Sequence, residues 1–279
     1  MTTTSTKVPV AERSLASRPA RHPGARRGPP WVAPALISAT AVGALVLFLL
    51  PLRGISLRAM NGLGLISVLP IASLAGLALL VAAIVAMLAL RRPYRLVLAV
   101  MLVALVFCLD GVTALIEPLP RFATAYQVSG FVNYVTAHGS VAPHLTAYFS
   151  WPGFFAFIAF VTGAAGVHSL LPLMSWWPMV IDLLLLVPFM FATRQLRISW
   201  RARWFAAVLF SLGNWVGQDY FSPQSFNYLL YLIFIASILV PMLKLGTLAF
   251  LAWSVQTRST WRPRQRTTLY RAVERIGRW

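Results

Sequence analysis

The stretch PGFFAFIAFVTGAAGVHSLLP, residues 152–172, carries no charged residue and is long enough to cross a bilayer. Whether it crosses decides the topology of the whole chain. The composition around it is that of a membrane protein. Of 279 residues, 59% are hydrophobic and only 11% charged, against roughly a quarter charged in soluble domains. Six further apolar runs are evident. They cover residues 32–51, ending at Pro51; 62–90, stopped by Arg91, Arg92 and Pro93; 96–116; 177–193, stopped by Arg194; a short run over 204–217; and a long one over 226–256 with Pro241 and Lys244 as a candidate break.

Charge favours one arrangement. If the chain starts inside and 152–172 stays out of the bilayer core, twenty Lys/Arg face the cytoplasm. These are six in residues 1–30, three in 91–95, four in 194–203 and seven in the C-terminal tail. Only Arg53, Arg58 and Arg121 then face out, and Lys244 falls within the last run. If 152–172 crossed, Arg194, Arg197, Arg201 and Arg203 would be forced outside, against the positive-inside bias. The pattern predicts an all-α, polytopic integral membrane protein with about six transmembrane helices and both termini cytoplasmic. An ordinary span at 152–172 is the alternative. Residues 1–30 read as a disordered basic tail, 31–257 as the transmembrane helical domain, and 258–279 as a basic amphipathic tail on the inner leaflet.

The predicted external excursion, 117–176, is nearly uncharged but rich in aromatics, among them Tyr148, Phe149, Trp151, Phe154, Phe155, Phe157 and Phe160. Such side chains favour the headgroup zone. Ser150 as a cap and Pro152 in the first turn predict a helix over 151–166 resting on the membrane surface.

The net charge of +18 belongs to termini and loops flanking apolar runs, so it points to anionic lipid and not to nucleic acid. The single cysteine, Cys108, excludes an intrachain disulfide, and the four histidines lack HExxH spacing.

A second stretch, GNWVGQDYFSPQSFNY at residues 213–228, breaks two apolar runs with polar residues and holds Asp219, one of only six acids in the chain. Ser222 and Pro223 restart a helix after it. Asp219 therefore falls at the outer boundary, beside the excursion.

With the strings GFVNYVTAHGSVAP, YFSWPGFF and WVGQDYFSPQSFNYLLYL, residues 95–245 resemble the GT-C superfamily of membrane glycosyltransferases, in its actinobacterial mannosyltransferase or RgtA-like branch. The resemblance implies sugar transfer from a polyprenyl-phosphate-linked donor on the outer face of the cytoplasmic membrane. An external acid would act as general base or hold a divalent metal. On this reading Asp219 and Glu117 are the catalytic candidates and Arg121 pairs with donor phosphate. Tyr126, His138, His144, Tyr148, Trp151, Asn214, Gln218, Tyr220 and Gln224 are the substrate-contacting candidates. Asn133 and Thr146 lie in the loop where the family places its acid, and the chain is short for the family, which implies a truncated or catalytically weakened member.

Each candidate also has a plainer reading. Asp219 suits a helix boundary whose amides it accepts, Arg121 an interfacial snorkelling residue, and the histidines an exposed loop. Asp110 and Asp182, within spans, either point into one external polar pocket or bond to neighbouring helices. Two alternative functions stand beside glycosyl transfer. One is a non-catalytic membrane protein binding a lipid-linked substrate or an unidentified protein partner. The other is a small transporter using Asp110 and Asp182, disfavoured by the absence of an inverted repeat.

Overall fold

The computed structural model describes residue 29, residues 31–214 and residues 219–256. The two predicted basic tails lie outside the described residues, apart from Pro29. Among the described residues there are helices and no strands. Four segments are long and apolar enough to cross a membrane: Val32–Gly54, Ile71–Ala89, Arg95–Ile116 and Leu171–Gln195. The chain is thus a multi-pass membrane protein.

Helices α1 (Val32–Leu49) and α2 (Ile71–Ala89) form an antiparallel pair. Their approach is close because Gly76 has no side chain. A Cβ there would sit 2.7 Å from both Ala44 O and Phe48 N. Close backbone approach through small residues is how helices associate where lipid removes the hydrophobic drive. Ser73 Oγ adds a 2.8 Å hydrogen bond to Phe48 O.

The predicted second span began at residue 62, but α2 begins at Ile71. Residues before it fold as a turn, in which Asn61 Oδ1 accepts from Leu63 N at 2.9 Å and Gly64 takes φ +68°. That conformation favours glycine, and Pro70 then starts the helix. The third span is interrupted. Helix α3 (Arg95–Val106) passes through a π-helical turn, Phe107–Gly111, into α4 (Val112–Ile116).

The excursion is more ordered than a loop. It holds α5 (Ala123–His138) and α6 (Gly153–Ala164). The 12 residues of α6 rise about 18 Å, well short of a hydrocarbon core of roughly 30 Å. Its N-cap is Pro152 and receives no side-chain hydrogen bond, so Ser150 does not serve as predicted. Helix α7 (Leu171–Gln195) starts earlier than the predicted 177, and it tolerates Pro178 and Pro188 in its interior. The 14-residue α8 (Trp200–Gly213) is short, about 21 Å. The last helix, α9 (Pro223–Gln256), is continuous over 34 residues and passes through Pro241 without the predicted break.

Two apolar cores result. One joins α1, α2, α3 and α8 around Phe48, Leu80, Ile84, Met87, Leu105 and Val208. The other joins α5, α6, α7 and α9 around Val128, Phe154, Phe155, Ile181, Phe221 and Leu229. Helix α7 serves both, with Leu185 in the second core and Leu186 in the first.

Candidate functional site

A cavity of about 480 Å³ lies between the two cores. Its wall is largely apolar. Phe48 of α1, Leu69 just before α2, Leu74 and Leu77 of α2, and Leu109 of the π turn line one side; Met174 of α7 and Phe221 line the other. Its polar groups are few: Asp110, Thr113, Glu117, Arg121, Ser175, Asp219 and Tyr220. An apolar cavity with a few convergent polar groups is the usual form of a small-molecule site.

Glu117 and Arg121 form an ion pair across the Pro118–Pro120 corner; Arg121 Nε also donates to Glu117 Oε1 at 3.1 Å. Glu117 is largely enclosed, while Arg121 is 37% exposed. The Gly64 turn lies beside the guanidinium: a Cβ on Gly64 would come 3.9 Å from Arg121 Nη1. Asp219 lines the same cavity. Burial pushes the Asp219 carboxyl above the ordinary carboxylate range, and its own backbone amide and the Arg121 charge pull it partly back.

Deeper in, the Asp110 and Asp182 side chains lie close to one another. Asn214 Nδ2 donates to Asp182 Oδ1 at 2.6 Å. Gly111, next to Asp110, sits tightly against α7. A Cβ there would lie 2.8 Å from Phe107 Cδ2 and 2.9 Å from Met179 Sδ, so the glycine lets the π turn press against α7. The π turn re-phases the helix at this point, as such turns do at functional sites.

The structure therefore brings together Asp219, Glu117, Arg121 and Tyr220 at one cavity, with Asp110 beside them. Asn214 is engaged with Asp182 and is not on the cavity wall. The remaining candidates lie elsewhere. Tyr126 and Tyr148 are exposed, Tyr148 against Phe131 with ring centroids 5.3 Å apart. His138 ends α5, its Nδ1 2.9 Å from Tyr134 O and its ring stacked on Tyr134. His144 lies in the exposed loop that follows, Trp151 is 84% exposed, and Gln224 is exposed in the first turn of α9. Gln218 lies outside the described residues. Among the described residues no group of three His, Cys, Asp or Glu side chains is placed to hold a metal ion. Sequence reasoning missed Thr113, Ser175 and the apolar wall itself; the one signal for it was the polar Glu117–Arg121 corner directly after an apolar run.

Residues 220–279 match the family model described as paraquat-inducible protein A, PqiA. No curated protein and no solved structure matches the chain. The matched stretch includes Tyr220 and Phe221 of the cavity wall and all of α9. This corrects the GT-C resemblance: the family match is to PqiA, and no GT-C model matches. The glycosyltransferase function and the polyprenyl-phosphate sugar partner fall with it. The physical reason for the false likeness is the small residue alphabet of membrane helices. Apolar runs broken by Pro, Gly and aromatics recur in unrelated membrane proteins because the bilayer imposes them.

Proposed function

We propose that this chain is a non-catalytic integral membrane protein that holds a membrane lipid in the cavity between its two cores. The observation that carries this reading is the cavity's division into a long apolar wall and one compact polar corner. Acyl chain packs against Phe48, Leu69, Leu74, Leu77 and Leu109. Headgroup meets Glu117, Arg121 and Asp219. That corner offers one cation and two carboxyl groups, so it suits a zwitterionic headgroup. Phosphate pairs with Arg121 and an ammonium with Asp219. An aminophospholipid such as phosphatidylethanolamine has both.

The orientation belongs to the same reading. The arginine-rich end of the bundle faces the cytoplasm and the cavity corner faces the outer side. Helix α6, with Phe157 and Phe160 exposed, lies along the outer interface.

Native mass spectrometry of the purified, delipidated chain titrated with phosphatidylethanolamine tests the proposal. Wild type retains the lipid at its unaltered mass. Leu74→Trp fills the cavity and abolishes retention, and Arg121→Gln and Asp219→Asn each weaken it. Equal retention by the cavity-filled variant overturns the lipid reading. A bound lipid of changed mass overturns the non-catalytic one.

A further inference from the structure

At the end of the bundle away from the cavity, α2 and α7 terminate and α3 and α8 begin. The two connections there carry seven arginines, three in residues 91–95 and four in 194–203. Two of the seven hold the loops to α8. Arg201 Nη2 donates to Leu90 O at 3.0 Å, and Arg203 Nε donates to Thr193 O at 3.3 Å. Leu90 and Thr193 lie at the C-terminal ends of α2 and α7, so both guanidinium groups also meet the negative ends of helix dipoles. These bonds gather two loops, distant in sequence, onto one surface.

Arg91, Arg92, Arg194 and Arg197 remain exposed on that surface. Among the described residues the ion pair found is Arg121 with Glu117, far from here. The described acids lie toward the other end. Asp110 is about 22 Å along its helix from Arg95, and Asp182 about 19 Å along α7 from Gln195, at 1.5 Å per residue. The positive surface is thus uncompensated within the described residues. It is not purely polar: Leu196 is 40% and Ile198 38% exposed between the arginines. Cations beside exposed apolar side chains at a helix end match the border between headgroup and acyl chain.

We propose that this end of the bundle is a binding site for anionic phospholipid. Arg91, Arg92, Arg194 and Arg197 hold the phosphodiester, and the acyl chains run alongside Leu196 and Ile198. Guanidinium groups suit this role because their forked donors match phosphate oxygens. The site is separate from the cavity and selects opposite headgroup chemistry, net negative in place of zwitterionic.

The test is lipid competition on the purified full chain in detergent, read by native mass spectrometry with phosphatidylglycerol and cardiolipin against phosphatidylcholine. Wild type retains the anionic lipids about tenfold over phosphatidylcholine, which corresponds to about 1.4 kcal/mol. The pair variants Arg91→Gln/Arg92→Gln and Arg194→Gln/Arg197→Gln each reduce that preference, and the four together remove it. Arg53→Gln/Arg58→Gln, away from this surface, leaves it unchanged. Should the fourfold variant not fold, the two pair variants decide. No preference in wild type, or a preference that survives the substitutions, overturns the proposal. Displacement of bound lipid by excess glycerol phosphate also overturns it, since a soluble phosphate would then be the occupant. Leu74→Trp, which blocks the cavity, leaves this preference intact, so the two lipid readings fail independently.

Discussion

Trp177 Nε1 donates a 2.8 Å hydrogen bond to Ser225 Oγ, 48 residues further along the chain. Ser225 Oγ in turn donates to Ser222 O at 2.9 Å. The indole is enclosed by Phe154 and Phe221 in edge-to-face contact, with centroids 5.7 and 5.2 Å away. Every polar atom in this joint is satisfied, which is the condition for placing an indole N–H in an apolar core. Helices α7 and α9 are locked in register by it.

Removing the acceptor tests that joint. Ser225→Ala leaves the Trp177 N–H buried without a partner and lowers stability by about 1–3 kcal/mol. Thermal unfolding in detergent measures it. A melting temperature equal to wild type would show that the bond contributes nothing.

Gly76 sets the spacing of α1 and α2. Gly76→Val drives side-chain atoms into Ala44 O and Phe48 N and costs about 1–3 kcal/mol or more, because backbone and not a flexible side chain must give way. Gly43, which has open space around it, accepts alanine without loss and serves as the control in the same unfolding assay.

The Asp219 carboxyl titrates higher in the folded protein than in the unfolded chain, because burial disfavours its charged form. The folded state then binds more protons across that interval, so stability falls as pH rises through it. Asp219→Asn removes this slope. The measurement is the difference in unfolding free energy between wild type and variant from pH 4 upward, about where a free aspartate begins to ionise. Wild type gains on the variant toward acid; the opposite trend would contradict the burial argument.

Asn214 is the donor that Asp182 depends on. Asn214→Ala leaves the carboxyl group without it and costs about 1–3 kcal/mol. In a double-mutant cycle with Asp182→Asn the two losses are not additive, since the residues are in direct contact. Additive losses would mean that the 2.6 Å bond is energetically idle.

Orientation is checked by cysteine labelling in a Cys108→Ser background. Ser140 and Ile198 are both on exposed segments. Ser140→Cys reacts from outside and Ile198→Cys only after permeabilisation. Outside labelling of position 198 would reverse the inferred sidedness.

The spans were legible where the physics is local. Leu90 followed by Arg91, Arg92 and Pro93 ends α2, and Ser222 with Pro223 starts α9, because charge and cap chemistry act over a few residues. Helix α6 was legible from its apolar length and its proline. Helix α5 was not recognised, although Ala125, Val128 and Val132 give it a buried face at helical spacing. Its polar and β-branched residues hid that periodicity. The start of α2 was misplaced because hydropathy alone does not register the turn that Asn61 and Gly64 impose.

At the site, the position of Asp219 between two helices followed from its neighbours in sequence. Its place at one cavity with Glu117 and Arg121 was expected from the order of spans and not from local sequence, since about a hundred residues intervene. The π turn that carries Asp110 is announced by no local propensity. Gly111 was its only trace.

The route of the chain between the two cores bears on how the molecule can be divided. It leaves the first core after α4, builds α5 and α6 into the second, returns with Ala207 and Val208 of α8, and departs again with α9. Neither core is a contiguous stretch of gene. A break between Gly139 and Ser140, both exposed, gives one piece lacking the α8 wall of the first core and another lacking the α5 wall of the second. Each piece alone presents an unfilled groove to the lipid, and each carries the part that closes the other. Co-expressed, the two fragments complement one another into a whole molecule; expressed singly, both are substrates for proteolytic clearance.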